Sequence, residues 1–251
     1  MQHVGAVLSV VLVLTGLSTV GPAASAWAAS TSPATVVSVS PLGGQTVGVA
    51  HPVTVTFTGP VNNRAATERM ITVTPASTSD PASGSFTWLA DHIVEWTPAQ
   101  FFPAYTPINV EVGAFATSFQ TGASVVSVAD ISAYTFTVSI DGVTARQMPT
   151  SMGKPGFATP IGRFTALSKE RRVTFDSRTI GIPLDDPEGY LINGEYGVRV
   201  TWGGVYVHSA PWSVGSQGYA NVSHGCINLS PDNAAWYFNT VRLGDPIIVQ
   251  A

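Results

Sequence analysis

Val53-Thr54-Val55-Thr56-Phe57-Thr58 alternates strictly between apolar and polar side chains. Successive side chains of a strand point to opposite faces, so Val53, Val55 and Phe57 share one face and the threonines share the other. The same habit runs outward in both directions. Thr35 to Val39, Met70 to Thr74, Ser85 to Leu89, His92 to Trp96 and Pro107 to Val112 all read as short strands. Pro41-Leu42-Gly43-Gly44, Gly59-Pro60, the stretch from Pro75 to Gly84, and Pro98 separate them with turn residues. Short strands at regular spacing with such punctuation predict an all-β sandwich over 33–122. No catalytic grouping occurs there. His51 and His92 have no chemical partner nearby in sequence and read as structural or surface residues.

Ala114 to Ser124, rich in Gly, Ser, Thr and Ala, reads as the boundary to a second unit over 124–251. That unit is mainly β with little helix. Val125 to Ser127, Tyr134 to Ile140 and Thr144 to Met148 read as strands, and Asp141-Gly142 predicts a hairpin with a type I′ turn. Thr159 to Phe164 leads into another strand. Asp176 to Arg199, with Pro183, Asp185-Asp186-Pro187, Gly189 and Asn193-Gly194, reads as a long flap. Ser230-Pro231-Asp232 is a helix start, with Ser230 as N-cap. Gly244-Asp245-Pro246 turns the chain into a last strand, Ile247 to Val249.

Met1 to Ala28 contains no Asp, Glu, Lys or Arg, and Val7 to Leu17 is almost wholly apolar. That run is shorter than the roughly 20 residues a bilayer span needs. Small-x-small sites follow at Ala24-Ser25-Ala26 and Ala26-Trp27-Ala28, so residues 1–28 read as an export signal, with an uncleaved anchor as the alternative. The expected location is outside the cytoplasm, in the cell envelope. Charged residues are only 10% of the 251, with a net charge of −4. Phosphate binding needs a basic face, so this balance argues against a nucleic-acid partner. Nothing in the sequence sets an oligomeric state.

Cys226 is the only cysteine. It cannot form an internal disulfide, and a lone exported thiol is a liability unless it is buried or does chemistry. Its neighbours are Ser223-His224-Gly225-Cys226-Ile227-Asn228, preceded by Val205-Tyr206-Val207-His208-Ser209-Ala210-Pro211-Trp212. A thiol of pKa about 8.5 beside an imidazole of about 6.5 forms an activated nucleophile by proton transfer. On a strand, Tyr206 and His208 share one face. In an extended Gly225 to Leu229, Cys226 and Asn228 share another. Gly225 opens the approach to the sulfur, and the N–H groups of His224, Gly225 and Cys226 are placed to line an oxyanion hole. Zinc is the competing reading, but Cys226, His224 and His208 have no second Cys to complete a ligand set. No metal or other cofactor is called for.

This motif, with His208 upstream, resembles the signature of the L,D-transpeptidase catalytic domain. Pro149-Thr150-Ser151-Met152-Gly153-Lys154 and Val207 to Gly215 resemble further stretches of its actinobacterial members, which carry an immunoglobulin-like domain ahead of it. The resemblance implies cysteine acyl transfer on peptidoglycan stem peptides. Cys226 takes the acyl group of a tetrapeptide with release of D-Ala, and a diamino-acid amine of a second stem attacks to give a 3→3 cross-link. It implies His208 as base then acid, oriented by the Ser209 backbone carbonyl, with an oxyanion pocket at His224, Gly225 and Cys226. Tyr190 on the flap, Gly203, Gly204 and Asn228 match substrate-contacting positions. Trp212, next to the His208 strand, is a further candidate, whereas Trp202 and Trp236 read as packing residues. β-Lactams of the carbapenem class are implied as covalent inhibitors. Phe175 and Ile180 depart from the Met and Tyr common on the flap of close members. Asp185, Asp186 and Glu188 read as a solvated loop, and Lys154 and Arg163 as surface cations, with contact to a substrate carboxylate as the alternative. Hydrolysis or D-amino-acid exchange on the same thioester is the alternative chemistry, and a non-catalytic wall-binding module the alternative class.

Overall fold

A computed structural model describes residues 35–251; the export-signal reading of 1–28 falls outside them. Residues Pro33–Ala251 form one compact unit, within which two separate hydrophobic cores are found.

The first core lies between two four-stranded sheets. The strands are β1 (Val36–Ser40), β2 (Thr46–Val47), β3 (Val53–Phe57), β4 (Ile71–Pro75), β5 (Gly84–Ala90), β6 (Ile93–Pro98), β7 (Pro107–Val112) and β8 (Phe115–Thr121), with a short helix α1 (Arg64–Glu68) between β3 and β4. One sheet runs β1-β3-β6-β5 and the other β2-β8-β7-β4. Val53, Val55 and Phe57 are buried, as are Ile108, Val110 and Val112 on β7, while Asn109 and Glu111 face solvent. This is the alternation of a two-layer sandwich with one wet and one dry face per sheet. Composition led us to assign 114–124 to the boundary, but Phe115–Thr121 is a strand paired along its length with β7. Its run of Ala, Thr, Ser and Gln carries only Phe119 and Thr121 as buried side chains, too few to register as a pattern.

The second core lies under sheets formed by β9 (Val125–Asp130), β10 (Thr135–Ile140), β11 (Val143–Pro149), β12 (Gly162–Thr165), β13 (Ser168–Asp176), β14 (Leu191–Arg199), β15 (Tyr206–Ser209), β16 (Ile227–Leu229) and β17 (Pro246–Gln250), with helix α2 (Pro231–Thr240). The sheets are β11-β10-β9-β17-β12 and β13-β14-β15-β16. Asp141 and Gly142 both have positive φ, 49° and 83°, as a type I′ turn requires. Phe136 of β10 meets Tyr237 of α2 edge-on at 4.9 Å, tying sheet to helix. Ser230 sits at the N-cap in extended conformation but its hydroxyl makes no capping bond.

The expected long flap over 176–199 is shorter than its composition suggests. Leu191–Arg199 is a strand paired with both β13 and β15. Its glycines looked like loop punctuation, but they are sites of close approach. A Cβ on Gly194 would lie 2.5 Å from Phe175, and one on Gly197 would lie 3.1 Å from Val173. The true flap is 177–190.

Backbone bonds join the two halves. Gly48 donates to the Leu243 carbonyl at 2.8 Å and Ala50 to that of Gly244 at 2.9 Å. Between them Asp245 is fully buried, with Oδ1 unpartnered and Oδ2 accepting from the Arg242 N–H at 2.7 Å. Burial raises its carboxyl to about 7.

Candidate active site

The site is built where β15 and β16 pair in parallel, with His208 opposite Asn228. Every residue of these strands is buried. Val207 and Ile227 anchor the side facing the core, leaving His208 and Asn228 on the other. The two strands therefore hold an imidazole and an amide side by side without freedom to swing away. Asn228 is fixed in turn: its backbone pairs with Ser151 and its Nδ2 donates to Ser213 Oγ at 3.2 Å.

Cys226 lies one residue before β16. With His208, Trp212, Tyr190, His224 and Asn228 it lines a cavity of about 260 Å3. His208 is 3% exposed, and its Nδ1–H donates to the Ser209 carbonyl at 2.8 Å. That bond fixes the tautomer and leaves Nε2 with its lone pair. The Phe175 ring covers the imidazole at 4.4 Å, and Trp212 flanks it at 5.9 Å. The position noted as a departure from close members is therefore in contact with His208. Ile180 is exposed instead.

The electrostatics differ from a preformed ion pair. Burial raises the Cys226 thiol to about 11, partly offset by a backbone hydrogen bond at Tyr206. Burial lowers His208 to about 4. Both groups are thus neutral at pH 7, and the thiol donates to the Gly204 carbonyl at 3.7 Å. Tyr190 is also raised, chiefly by burial and secondarily by the nearby sulfur.

Ser209 serves the site through its carbonyl, as the resemblance implied, and lines a second groove with Arg172 and Pro231. Other residues take positions different from those read from sequence. Gly204, at φ 100°, presents a carbonyl to the thiol, and Gly203 is not part of the cavity wall. The Gly225 N–H, assigned above to an oxyanion hole, is donated to Ser223 Oγ at 3.1 Å, because that hydroxyl folds back across the turn and also donates to the Cys226 carbonyl at 2.7 Å. Trp202, read as a packing residue, is 75% exposed. Trp236 does pack against the core.

Asp185, Asp186 and Arg163 are exposed, as read from sequence, whereas Glu188 and Lys154 are not simple surface charges. Glu188 is not simply solvated: its Oε2 accepts from Lys154 Nζ at 2.5 Å and from His224 Nε2 at 2.9 Å. The Lys154 bond, followed by that from His224, holds the Glu188 carboxyl below its ordinary range. His224 is gripped between Phe157 at 4.6 Å and Tyr190 at 4.9 Å. Arg163 lies over the Phe101 ring at 4.8 Å. Thr159 is a further positioning residue, donating to the Gly225 carbonyl and accepting from the Gly153 N–H, both at 2.9 Å. Neither Glu188 nor Thr159 carries a sequence signal, since their partners lie far along the chain. Among the described residues no group of three His, Cys, Asp or Glu is arranged to hold a metal ion.

A lone thiol beside a tautomer-fixed imidazole, in a pocket capped by a flap, defines a cysteine acyltransferase. Residues 124–249 match the L,D-transpeptidase catalytic domain and residues 22–115 a bacterial Ig domain. The chain is 59% identical over 214 residues to L,D-transpeptidase 1 of Mycobacterium tuberculosis, covering 85% of this chain and 84% of that protein. It superposes on an L,D-transpeptidase from Mycobacterium smegmatis with a TM-score of 0.84 and 63% identity, covering 88% of this chain and 100% of that one. The LD transpeptidase LdtMt1 in complex with imipenem gives 0.82 and 58%, covering 86% and 99%. The chain belongs to the L,D-transpeptidase family and is an enzyme of that class, with an Ig-like domain ahead of the catalytic one.

Proposed function

We propose that this enzyme cross-links peptidoglycan by taking the acyl group of a stem tetrapeptide onto Cys226, releasing D-Ala, and passing it to the side-chain amine of a diamino acid on a second stem, giving 3→3 links in the cell envelope. The observation that carries this is the placing of Cys226 and His208 in one cavity, with the imidazole held through Nδ1 by the Ser209 carbonyl so that Nε2 is the nitrogen left for proton transfer. Since both groups are neutral at rest, the thiolate forms as attack proceeds. Sγ bonds to the carbonyl carbon while its proton passes to His208 Nε2. The N–H groups of His224 and Cys226 serve the developing oxyanion. When the C–N bond breaks, His208 returns the proton to the leaving amine and the thioester remains. The second amine then adds, gives its proton to His208, and expels the thiolate, which recovers a proton from the imidazolium.

A thiol kept neutral until substrate arrives is a poorer target for oxidants than a thiolate, which suits an exported enzyme. Carbapenems carry a strained amide that the same attack opens, and a relative's complex with imipenem supports this. Incubating purified protein with a stem tetrapeptide and reading products by mass spectrometry tests the proposal. A cross-linked dimer that disappears in Cys226→Ala is the expected result. Tripeptide plus free D-Ala alone would make the enzyme a carboxypeptidase.

A further inference from the structure

Among the described residues, Glu188 is the only formally charged side chain in the wall of the Cys226 cavity. It belongs to the flap, yet its carboxylate is held from the opposite side by Lys154 Nζ and His224 Nε2. Both partners are tied to the chain entering the nucleophile. The Lys154 N–H donates to the Ser223 carbonyl at 2.9 Å, and His224 is two residues from Cys226. Two donors converge on one carboxylate oxygen at the edge of the catalytic cavity, so this place binds a carboxylate, and the protein supplies its own.

The donor proposed above, on which this inference rests, ends in D-Ala. Its terminal carboxylate carbon is joined through one Cα to the leaving nitrogen, hence only about 2.5 Å from it. That nitrogen must reach His208 Nε2, so the carboxylate has to lie inside the same cavity. There it would face Glu188, a like charge that repels it and already holds the two donors it needs. The repulsion vanishes if the flap carries Glu188 away and the incoming carboxylate takes its two donors. The exchange replaces one ion pair by another and is close to neutral in free energy. The pair is only partly buried, Lys154 at 26% and Glu188 at 42% side-chain exposure, and pairs so exposed are weak enough to be exchanged.

We propose that Lys154 and His224 form the subsite for the terminal carboxylate of the acyl donor, and that Glu188 occupies it in the resting enzyme as an internal competitor. The subsite selects a peptide whose carboxylate sits on the residue that leaves, and flap opening is coupled to its arrival.

The test compares, for each protein, kcat/KM on a stem tetrapeptide ending in the D-Ala acid with that on the same peptide ending in D-Ala carboxamide. The ratio is internal to each variant, so a loss of folded protein cancels from it. A charge-assisted bond predicts that wild type favours the acid by about tenfold. Lys154→Gln should bring the ratio close to one. Glu188→Gln, which weakens the competitor, should raise it several-fold above wild type, through a lower KM for the acid. An unchanged ratio in Lys154→Gln overturns the subsite while leaving the transpeptidase reading intact. An unchanged or lowered ratio in Glu188→Gln overturns the competition. Failure of wild type to turn over either peptide removes the reading itself, and this inference with it.

Discussion

The strands β3 and β15 are both short, both sit inside sheets, and obey different rules. β3 alternates between buried and half-exposed residues, and its polar side chains are threonines facing outward. In β15 all four residues are buried, two of them polar: His208 and Ser209. The first strand is explained by the transfer of apolar area from water. The second buries groups that cost free energy unless each finds a partner, and each bond it makes is also a piece of the catalytic geometry. Sandwich strands are therefore replaceable by anything of similar shape, and site strands are not.

Removing the groups on the catalytic side gives the largest effect. Cys226→Ala should abolish thioester formation, and His208→Ala should lower kcat by roughly 10³-fold or more, as loss of nucleophile or base does in related triads. Thermal unfolding of Cys226→Ala should stay close to wild type, whereas His208→Ala also empties a buried position and should lower the melting temperature. If His208→Ala retained a tenth of wild-type kcat, the imidazole would not be the base.

The opposite pattern is expected in the sandwich. Ile108 is fully buried in the first core, and Ile108→Ala should cost about 2–5 kcal/mol of stability by transfer and cavity terms. Denaturant unfolding measures it. Among molecules still folded, kcat on the tetrapeptide should not change, and a change would mean that packing in the first core reaches the site.

These contrasts also explain what was legible. Strict alternation around Val53, Val55 and Phe57 and at Ile108, Val110 and Val112 marks a face that meets water, so the sandwich could be read. The nucleophile motif was legible because its partners lie close in sequence, from Ser223 to Asn228. β8 was hidden by its polar composition, and β14 by Gly194 and Gly197, which are small because Phe175, Val173 and Tyr206 press on them. Glu188 looked like a loop acid because Lys154 is far upstream, and only the fold brings them together.

Asp245, wedged between the halves, sharpens the comparison from a third direction. Its folded-state value of about 7 lies above the ordinary 3.8 because burial disfavours the carboxylate. Nearby charges are Arg242 and Lys169, and both favour ionisation, but burial outweighs them. The native state thus binds more protons than the unfolded chain between about pH 4 and 7. Its stabilising contribution is full below 3.8 and is lost as pH rises through about 7. Asp245→Asn should remove this part of the slope and raise the melting temperature at pH 8 by a few degrees. Equal slopes in the two proteins would mean that Asp245 is ionised in the fold.

The smallest effect is expected at the residue nearest the base. Ser209 looks functional because it follows His208, but His208 Nδ1 is held by the Ser209 backbone carbonyl, and any residue supplies one. Ser209 lines a second groove with Arg172 and Pro231 and is not among the residues of the Cys226 cavity. Ser209→Ala should leave kcat/KM within about threefold, since the carbonyl that holds His208 is unchanged. Asn228→Ala removes a side chain that shares the cavity and a hydrogen bond to Ser213 Oγ, and should cost more. If Ser209→Ala instead lowered kcat as deeply as His208→Ala, the imidazole would be oriented by the hydroxyl, and the tautomer argument built on the carbonyl would have to be abandoned.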